Sequence, residues 1–322
     1  MMIKQKVASL KVGSRIDGPY VLKRKILKKN PDGSTFALFQ FSDNTGVVGG
    51  ILWDLAEKTC GSIQQGGFVR VHGEVHQHRD SLQVKVFQIE SIQGEELDLS
   101  DFLPVTPLDR DELMSEWKAR VNEVSSEALR RLLLDMLEDE QLGWEFRNAP
   151  AGKTWHHPYV GGLLEHVVKL SRLAQKVCDL YPELDRDLMI ASCFLHDLGK
   201  AREMDYKTSI EYNSEGRLLG HVVQGVEILD SFLPGHPDLD PEQVVQLKHI
   251  VVSHQGSYEY GSPKLPMTLE AIAFHLIDNL DAQVDGYARV MDEARRSQGD
   301  ESEWTGIHRL LGRPLFLGGR EE

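Results

Sequence analysis

The sequence predicts two domains of different class, an all-β barrel followed by an all-α helical bundle. Apolar residues alternate with period two in short segments up to about residue 92, and from about residue 113 they recur every three or four residues. The charge divides at the same place, with a net +5 over residues 1–92 and −19 over residues 93–322. The predicted divisions are a barrel over 1–95, a linker over 96–112, a helical domain over 113–296 and a loosely held C-terminal tail over 297–322.

Composition and cysteine usage exclude several classes of protein. The chain is 41% hydrophobic and 27% charged, which is typical of a globular protein. Its three cysteines are widely spaced and form no Cys-x-x-Cys pair, which argues against a disulfide framework or a thiolate zinc site. It contains neither a run of 18 apolar residues nor the apolar region of an export signal. We therefore expect a cytoplasmic protein that does not enter a membrane.

The first domain reads as five short strands separated by turns rich in Asn, Asp and Gly. A helical turn from Leu55 to Cys60 is predicted between the third and fourth strands. Five short strands with a helix at that position are typical of the OB-fold, a small closed barrel. The predicted strands cover residues 20–22, 35–41, 46–53, 68–75 and 82–89.

The second and third of these strands carry a resemblance. The run from Phe39 to Gly46, leading into Ile51-Leu52-Trp53-Asp54, is similar to the corresponding signature of nucleic-acid-binding OB domains. The resemblance implies aromatic rings that stack on bases and basic side chains that bind phosphates. Alternating aromatics in a barrel strand also fit the barrel core, and the sequence leaves both interpretations open. The candidates are the rings of Phe39, Phe41 and Trp53 and the basic side chains of Lys23, Arg24, Lys28 and Arg70.

In the helical domain, five predicted helices each present a His or Asp at a core-facing or core-edge position. The clearest case is His196-Asp197, which follows an apolar run and precedes Gly199-Lys200. Burying an unpaired carboxylate costs several kcal/mol, so Asp197 requires a cation or strong hydrogen-bond donors. Separate hydrogen bonds at each position are the alternative, but one metal centre satisfies all of these side chains together. The candidate ligands are His166, His196, Asp197, His221, His254 and Asp278.

The order His, His-Asp, His, His, Asp resembles the HD superfamily of metal-dependent phosphohydrolases. The resemblance implies that His166, His196, Asp197 and Asp278 form the basic ligand set, and that His221 and His254 are the two additional ligands of its two-metal members. The segment from His156 to His166 and Gly261-Ser262-Pro263 resemble the YhaM family of bacterial 3′→5′ exoribonucleases, which join an OB domain to an HD domain. One departure is Gln255, which follows His254 where many relatives have a second histidine.

The ligand types indicate a mechanism. Mixed imidazole and carboxylate ligands suit Mn²⁺, Fe²⁺, Co²⁺ or Zn²⁺, and the resemblance favours two ions of Mn²⁺. We expect Asp197 to bridge the ions, which activate a shared water for attack on a phosphodiester. Lys200 is a candidate to neutralise charge on the phosphate, or an exposed lysine at a helix end. The loop before His166 offers Lys153, His156 and His157 as substrate contacts.

The resemblance thus implies a metal-dependent 3′→5′ exonuclease of single-stranded RNA, with single-stranded DNA as an open second substrate and a homo-oligomer as an open state of assembly. Two alternatives remain. One is a phosphohydrolase of small nucleotides or cyclic dinucleotides with a regulatory OB domain, and the other is a nucleic-acid-binding protein without catalysis. The sequence contains no Ser-His-Asp arrangement, phosphate-binding loop or dinucleotide fingerprint that supports another chemistry.

Overall fold

The computed structural model describes residues 5–53, 61, 63–79, 81–92, 97–298 and 302–318. The chain divides into two compact units. The first comprises the residues up to Val105 together with Asp205–Glu211, and the second comprises Thr106–Met204 and the residues from Tyr212 onward. The sequence pattern does not predict that residues 205–211 belong with the barrel.

Five strands form the closed barrel of the first unit, in the order β1-β2-β3-β5-β4. All neighbouring strands are antiparallel except β3 and β5, which pair in parallel. The five predicted strands and the OB-fold class are confirmed, whereas the predicted helical turn from Leu55 to Cys60 lies outside the described residues. The strands are β1 (Arg15–Lys29), β2 (Thr35–Asp43), β3 (Gly46–Leu52), β4 (Phe68–His78) and β5 (Ser81–Ser91).

One face of β2 packs into the barrel core. Ala37, Phe39 and Phe41 alternate along the strand and are at most 3% exposed, and the rings of Phe39 and Phe41 stack with centroids 5.3 Å apart. The prediction that these two rings bind bases is therefore wrong. Residues two apart in a strand lie on the same face, and this face of β2 is the buried one.

Residues 205–211 lie against the barrel. The hydroxyl of Thr208 donates a hydrogen bond to the carbonyl oxygen of Gly66 at 2.7 Å, and the ammonium group of Lys23 donates to the carbonyl oxygen of Thr208 at 3.4 Å. The segment lies between two short strands, β6 (Met204–Asp205) and β7 (Glu211–Tyr212), which pair with each other. A segment far along the chain from the barrel strands is therefore part of the first unit.

The second unit is helical, as predicted. Asp, Ser or Asn side chains cap six of its helices by accepting hydrogen bonds from first-turn amides, which explains where these helices begin. None of the helices in the described residues combines the length and apolarity needed to cross a bilayer. The helices are α1 (Arg110–Asn122), α2 (Glu127–Glu138), α3 (Glu140–Asn148), α4 (Gly162–Leu180), α5 (Arg186–Leu195), α6 (Lys200–Glu203), α7 (Ser214–Phe232), α8 (Pro241–Ser253) and α9 (Leu269–Gln298).

Helix α5 runs through the core of this unit. Every residue from Leu188 to Leu195 is buried, and the Phe194 ring packs edge-on against Phe146 with centroids 4.8 Å apart and contacts Trp117. Burial of the helix from Leu188 onward fixes the position of its C-terminal end, where His196 and Asp197 follow.

The C-terminal segment corrects the prediction of a loosely held tail. Residues 302–318 fold back on themselves, with Trp304 paired to Phe316 through a backbone bridge and ring centroids 5.0 Å apart. Arg295 of α9 donates a hydrogen bond to the carbonyl oxygen of Leu317 at 3.0 Å, and Leu317 is buried. The apolar residues of this segment are too few to signal the packing in sequence.

Candidate metal centre

Asp197 lies at the centre of the site, at the end of the buried helix α5. Its carboxylate is 1% exposed, and its two oxygens face different pairs of histidines. Oδ2 lies 3.3 Å from Nε2 of His196 and 3.8 Å from Nε2 of His166. Oδ1 lies 3.4 Å from Nε2 of His221 and 3.5 Å from Nε2 of His254. One carboxylate thus separates two clusters of imidazole nitrogens.

Asp278 completes the first cluster from α9. Its Oδ1 lies 3.2 Å from Nε2 of His166 and 3.6 Å from Nε2 of His196. Helix α4 supplies His166, whose side chain is fully buried. The structure therefore brings together the imidazoles and carboxylates of His166, His196, Asp197 and Asp278, which lie on three helices far apart in sequence.

The second cluster depends on the close packing of α7 against the end of α5. A Cβ atom at Gly199 would lie 2.0 Å from the carbonyl oxygen of His221, so only glycine allows this approach. Helix α7 has a non-helical residue at Gly220, and His221 begins its second part. His254 follows directly after α8 and is 1% exposed.

Each of the four histidines has an acceptor oxygen beside its Nδ1 atom. Nδ1 of His196 lies 3.1 Å from the carbonyl oxygens of Ser192 and Cys193. Nδ1 of His254 lies 2.8 Å from the carbonyl oxygen of Val251. A proton on Nδ1 donated to such an oxygen leaves the Nε2 lone pair free, which is the usual arrangement of histidines that bind metal.

The other two histidines use carboxylates for the same purpose. Nδ1 of His166 lies 2.7 Å from Oδ2 of Asp281, and Nδ1 of His221 lies 3.4 Å from Oε1 of Glu203. Asp281 and Glu203 are functional residues that the sequence analysis missed. Asp281 lies one helical turn from Asp278, which is a usable signal in the sequence, whereas the position of Glu203 follows from tertiary packing alone.

These donors fit divalent metal ions. The Nε2 atoms of His166 and His196 are 3.3 Å apart, a close approach of two lone pairs unless a cation or a proton lies between them. Oδ1 of Asp197 is buried and has no hydrogen-bond partner in the part of the chain that the structure describes. Among the described residues, ligand atoms close enough together to hold one ion form four groups: His156-His166-Asp197, His157-His166-Asp281, His166-His196-Asp278 and Asp197-His221-His254. The side chains around Asp197 therefore fit divalent metal binding.

The pKa values of the buried groups show that the carboxylates of the site require positive charge. Burial alone would raise the pKa of Asp197, but Lys200 and His196 hold it well below its usual value. Burial alone would lower the pKa of His196, but Asp197 and Asp278 raise it to about 10. Protons and the Lys200 ammonium thus compensate the carboxylates, and a bound metal ion must displace the imidazole protons.

Lys200 lies within the site. Its side chain is 9% exposed, and its Nζ donates to Oδ2 of Asp197 at 2.6 Å. The alternative in which Lys200 is an ordinary exposed lysine is therefore excluded. Both groups line a pocket of about 250 Å³ that also contains His254, Gln255 and Asp278. The amide nitrogen of Gln255 lies 3.1 Å from Nε2 of His254 and 3.4 Å from Nε2 of His221.

The loop before α4 contributes one predicted residue to this pocket and buries another. His156 lines the pocket and its ring centroid lies 5.2 Å from that of His166. His157 is fully buried, with Nε2 3.0 Å from Oδ2 of Asp281 and Nδ1 2.8 Å from the hydroxyl of Tyr159. The prediction that His157 contacts substrate is therefore wrong, because its ring is enclosed by hydrogen-bonding partners behind His166.

The predicted basic residues of the barrel are on its surface. Lys23, Arg24 and Lys28 are exposed, whereas Arg70 forms an ion pair with Asp17 at 2.9 Å. Trp53, directly after β3, is 49% exposed and stacks on Phe36 with centroids 5.2 Å apart.

A further exposed aromatic ring was missed. Phe87 on β5 is 51% exposed, and the parallel pairing of β3 with β5 sets Ile51 opposite Lys85. Phe87 follows two residues later on β5, and Trp53 follows Ile51 by two residues, directly after the end of β3. The outward-facing aromatic residues of the barrel are therefore Phe36, Trp53 and Phe87, one position out of phase with the predicted pair on β2.

Comparison with known proteins finds similar proteins for each half of the chain. The HD domain family model matches residues 163–283, the span that carries all six candidate ligands. The barrel is similar to the second OB-fold domain of replication protein A from Methanococcus maripaludis, with 20% identity over 30% of this chain and 100% of that chain and a TM-score of 0.25.

Two curated relatives extend over nearly the whole chain. The 3′-5′ exoribonuclease YhaM of Bacillus subtilis (strain 168) is 33% identical over 306 residues, covering 95% of this chain and 96% of the relative. The protein of the same name from Geobacillus sp. (strain WCH70) is 32% identical over 312 residues, covering 96% of this chain and 95% of the relative. Identity at this level over 95% or more of the chain means that the chain belongs to the YhaM family of 3′-5′ exoribonucleases.

Proposed function

We propose that this chain is a metal-dependent 3′-5′ exoribonuclease that removes nucleotides from single-stranded RNA, with single-stranded DNA as a second substrate to be tested. The observation that carries the proposal is the Asp197 carboxylate, whose two oxygens each face a pair of histidines. Family membership supplies the reaction, since the relatives are named for it.

We propose two divalent ions at this centre, with Mn²⁺ preferred. The imidazole and carboxylate donors on either side of Asp197 support two ions, and such mixed donors suit first-row metals. When bound, divalent ions stabilise charge on the phosphoryl oxygens and lower the pKa of water enough to give a nucleophile at neutral pH.

The chain's own residues prepare this chemistry. Acceptor oxygens at Nδ1 fix the orientation of the four histidines, so their Nε2 atoms converge without reorganisation when substrate binds. Lys200 places a buried positive charge beside Asp197 and lines the pocket into which a phosphodiester must enter. Its ammonium group is thus positioned to offset negative charge on the substrate phosphate.

The function is tested with purified full-length protein, Mn²⁺ and a single-stranded RNA labelled at its 5′ end. We expect a ladder of products shortened stepwise from the 3′ end, no products when EDTA replaces Mn²⁺, and no products from His196→Ala. Hydrolysis of mononucleotides or cyclic dinucleotides with the RNA left intact would instead identify a small-nucleotide phosphohydrolase. RNA binding without turnover under any divalent metal would identify a non-catalytic binding protein.

For the barrel, we propose that the outward rings of Trp53 and Phe87 stack on bases of the single strand. Both rings are about half exposed, and each lies two residues beyond Ile51 and Lys85, a pair in the parallel ladder of β3 and β5. Lys85 is close to the Phe87 ring, at 6.0 Å from its centroid. Aromatic stacking of this kind binds single strands with little sequence preference.

Replacing both rings, Trp53→Ala with Phe87→Ala, is expected to weaken binding of single-stranded RNA by roughly tenfold or more, since one stacked base contributes about 1–3 kcal/mol. Fluorescence anisotropy with labelled RNA in EDTA measures the dissociation constant without turnover. Val12→Ala is the matched control, because Val12 is exposed on the same unit and is not aromatic. An unchanged dissociation constant for the double variant would place the binding surface elsewhere.

We also propose a cytoplasmic homo-oligomer. Cys178 and Cys193 are buried free thiols, which suits a reducing compartment. The solvent-facing side of α9 carries a stripe of exposed aliphatic residues, each about half exposed or more, which is typical of a helix that packs against a partner. The stripe comprises Leu269, Ile272, Leu276, Leu280 and Val284.

A further inference from the structure

A second pocket adjoins the metal centre. It has a volume of about 370 Å³, and Trp155 lines both this pocket and the one that contains Asp197. Its walls come from the loop before α4, from the middle of α9 and from the folded C-terminal segment, which contributes His308 and Leu310. A volume of this size is in the range of small-molecule binding sites.

Trp155 is held rigidly at the boundary of the two pockets. A Cβ atom at Gly286 would lie 2.4 Å from the indole ring, so the absence of a side chain there allows Trp155 to lie on α9. The rings of Tyr287 and His308 contact the indole from the sides, with centroids 6.0 Å and 6.1 Å away. The indole is half-buried, so an aromatic surface with a fixed orientation remains available to a ligand.

The second pocket is basic within an otherwise acidic domain. Lys153 and Arg289 contribute two positive charges to its lining, against the single carboxylate of Glu293, which lies 3.9 Å from the Arg289 guanidinium. Nδ1 of His308 is buried and has no hydrogen-bond partner among the described residues. Two cations, an imidazole nitrogen without a partner and a fixed indole ring together match a ligand that has both a phosphate and a planar base.

We infer that this second pocket binds one nucleotide of the single strand, adjacent to the phosphodiester held at the metal centre. Trp155 stacks on its base, and Lys153 and Arg289 bind its phosphate. This inference rests on the proposed function, because it assigns the pocket to the same substrate. It also gives the C-terminal segment a role, since His308 forms part of the wall.

The test compares two substrates of the full-length protein. Single-stranded RNA reaches both pockets, whereas bis(p-nitrophenyl) phosphate is a small phosphodiester without a base. For Trp155→Ala and for Arg289→Gln, we expect the ratio of kcat/KM on RNA to kcat/KM on bis(p-nitrophenyl) phosphate to fall roughly tenfold, chiefly through a higher KM for RNA. Trp155→Phe keeps a ring and is expected to restore most of the ratio.

Arg296→Gln is the matched control, because Arg296 is an exposed arginine on the same helix and does not line the pocket; its ratio should equal that of the unmodified protein. Wild-type ratios in both Trp155→Ala and Arg289→Gln would overturn the inference. Calorimetric binding of free AMP to the second pocket, with an unchanged ratio of kcat/KM on the two substrates in both variants, would also overturn the inference, since the pocket would then bind an effector. If the unmodified protein hydrolyses neither substrate, the proposed function itself fails.

Discussion

Asp197→Asn is expected to lower RNA hydrolysis by roughly a thousandfold or more. The substitution keeps the size of the side chain but removes the negative charge that both pairs of histidines face. The Nε2 atoms of one pair lie 3.3–3.8 Å from Oδ2 of Asp197, and those of the other pair lie 3.4–3.5 Å from Oδ1. Loss of metal-ion stabilisation is worth several kcal/mol, and each 1.36 kcal/mol is about tenfold in rate. Single-turnover hydrolysis of labelled RNA in Mn²⁺ measures the effect.

Metal content distinguishes loss of a shared ligand from general damage. We expect two Mn²⁺ ions per chain in the unmodified protein, fewer than one in Asp197→Asn, and about one in His254→Ala, because His254 faces only Oδ1 of Asp197. Inductively coupled plasma mass spectrometry after desalting gives these ratios. Glu227→Gln, an exposed carboxylate on α7, is the control and should retain two ions. Two retained ions and normal hydrolysis in Asp197→Asn would show that this carboxylate does not hold the metals.

The fold could be predicted because the chain carries two clear hydrophobic periods. Alternation specified all five barrel strands, and spacing of three to four specified the helices that hold the ligands. Neither period predicts the position of residues that are held by contacts between distant segments of the chain. Thr208 contacts the barrel through one side-chain hydrogen bond to Gly66, and Trp304 pairs with Phe316 across a short irregular segment. Such contacts leave no periodic trace in the sequence.

The site was predictable to the extent that a ligand lies on a regular helix face. His166 and Asp278 could be placed inward from their neighbours, and the structure brings them within 3.2 Å of each other. Alternation on β2 identified a face but not whether that face is buried, so the sequence left both a core position and a base-stacking role open for Phe39 and Phe41, and the structure places both rings in the core. The Glu203 carboxylate beside Nδ1 of His221 depends on a contact between two helices, which no spacing rule describes.

Asp281, one helical turn from Asp278, provides the second large expected effect. Its Oδ2 accepts from Nδ1 of His166 at 2.7 Å and lies 3.0 Å from Nε2 of His157. In Asp281→Asn the amide NH₂ can face Nδ1 of His166 instead, which favours the tautomer with its proton on Nε2, the atom directed at the metal centre. Loss of such a partner typically costs 10- to 100-fold in metal affinity.

We therefore expect the Mn²⁺ concentration for half-maximal RNA hydrolysis to rise by about 10- to 100-fold in Asp281→Asn, with most activity recovered at saturating Mn²⁺. Calorimetric titration of Mn²⁺ into the metal-free protein gives the affinity directly.

Asp285→Asn is the matched control, since Asp285 accepts the backbone N–H of His157 at 2.8 Å in the same network without touching His166. A purely structural role for Asp281 predicts lower thermal stability with an unchanged Mn²⁺ requirement, and that result would refute its role in orienting His166. Recovery at high Mn²⁺ separates Asp281 from Asp197, because a misoriented ligand is overcome by mass action whereas a missing shared carboxylate is not.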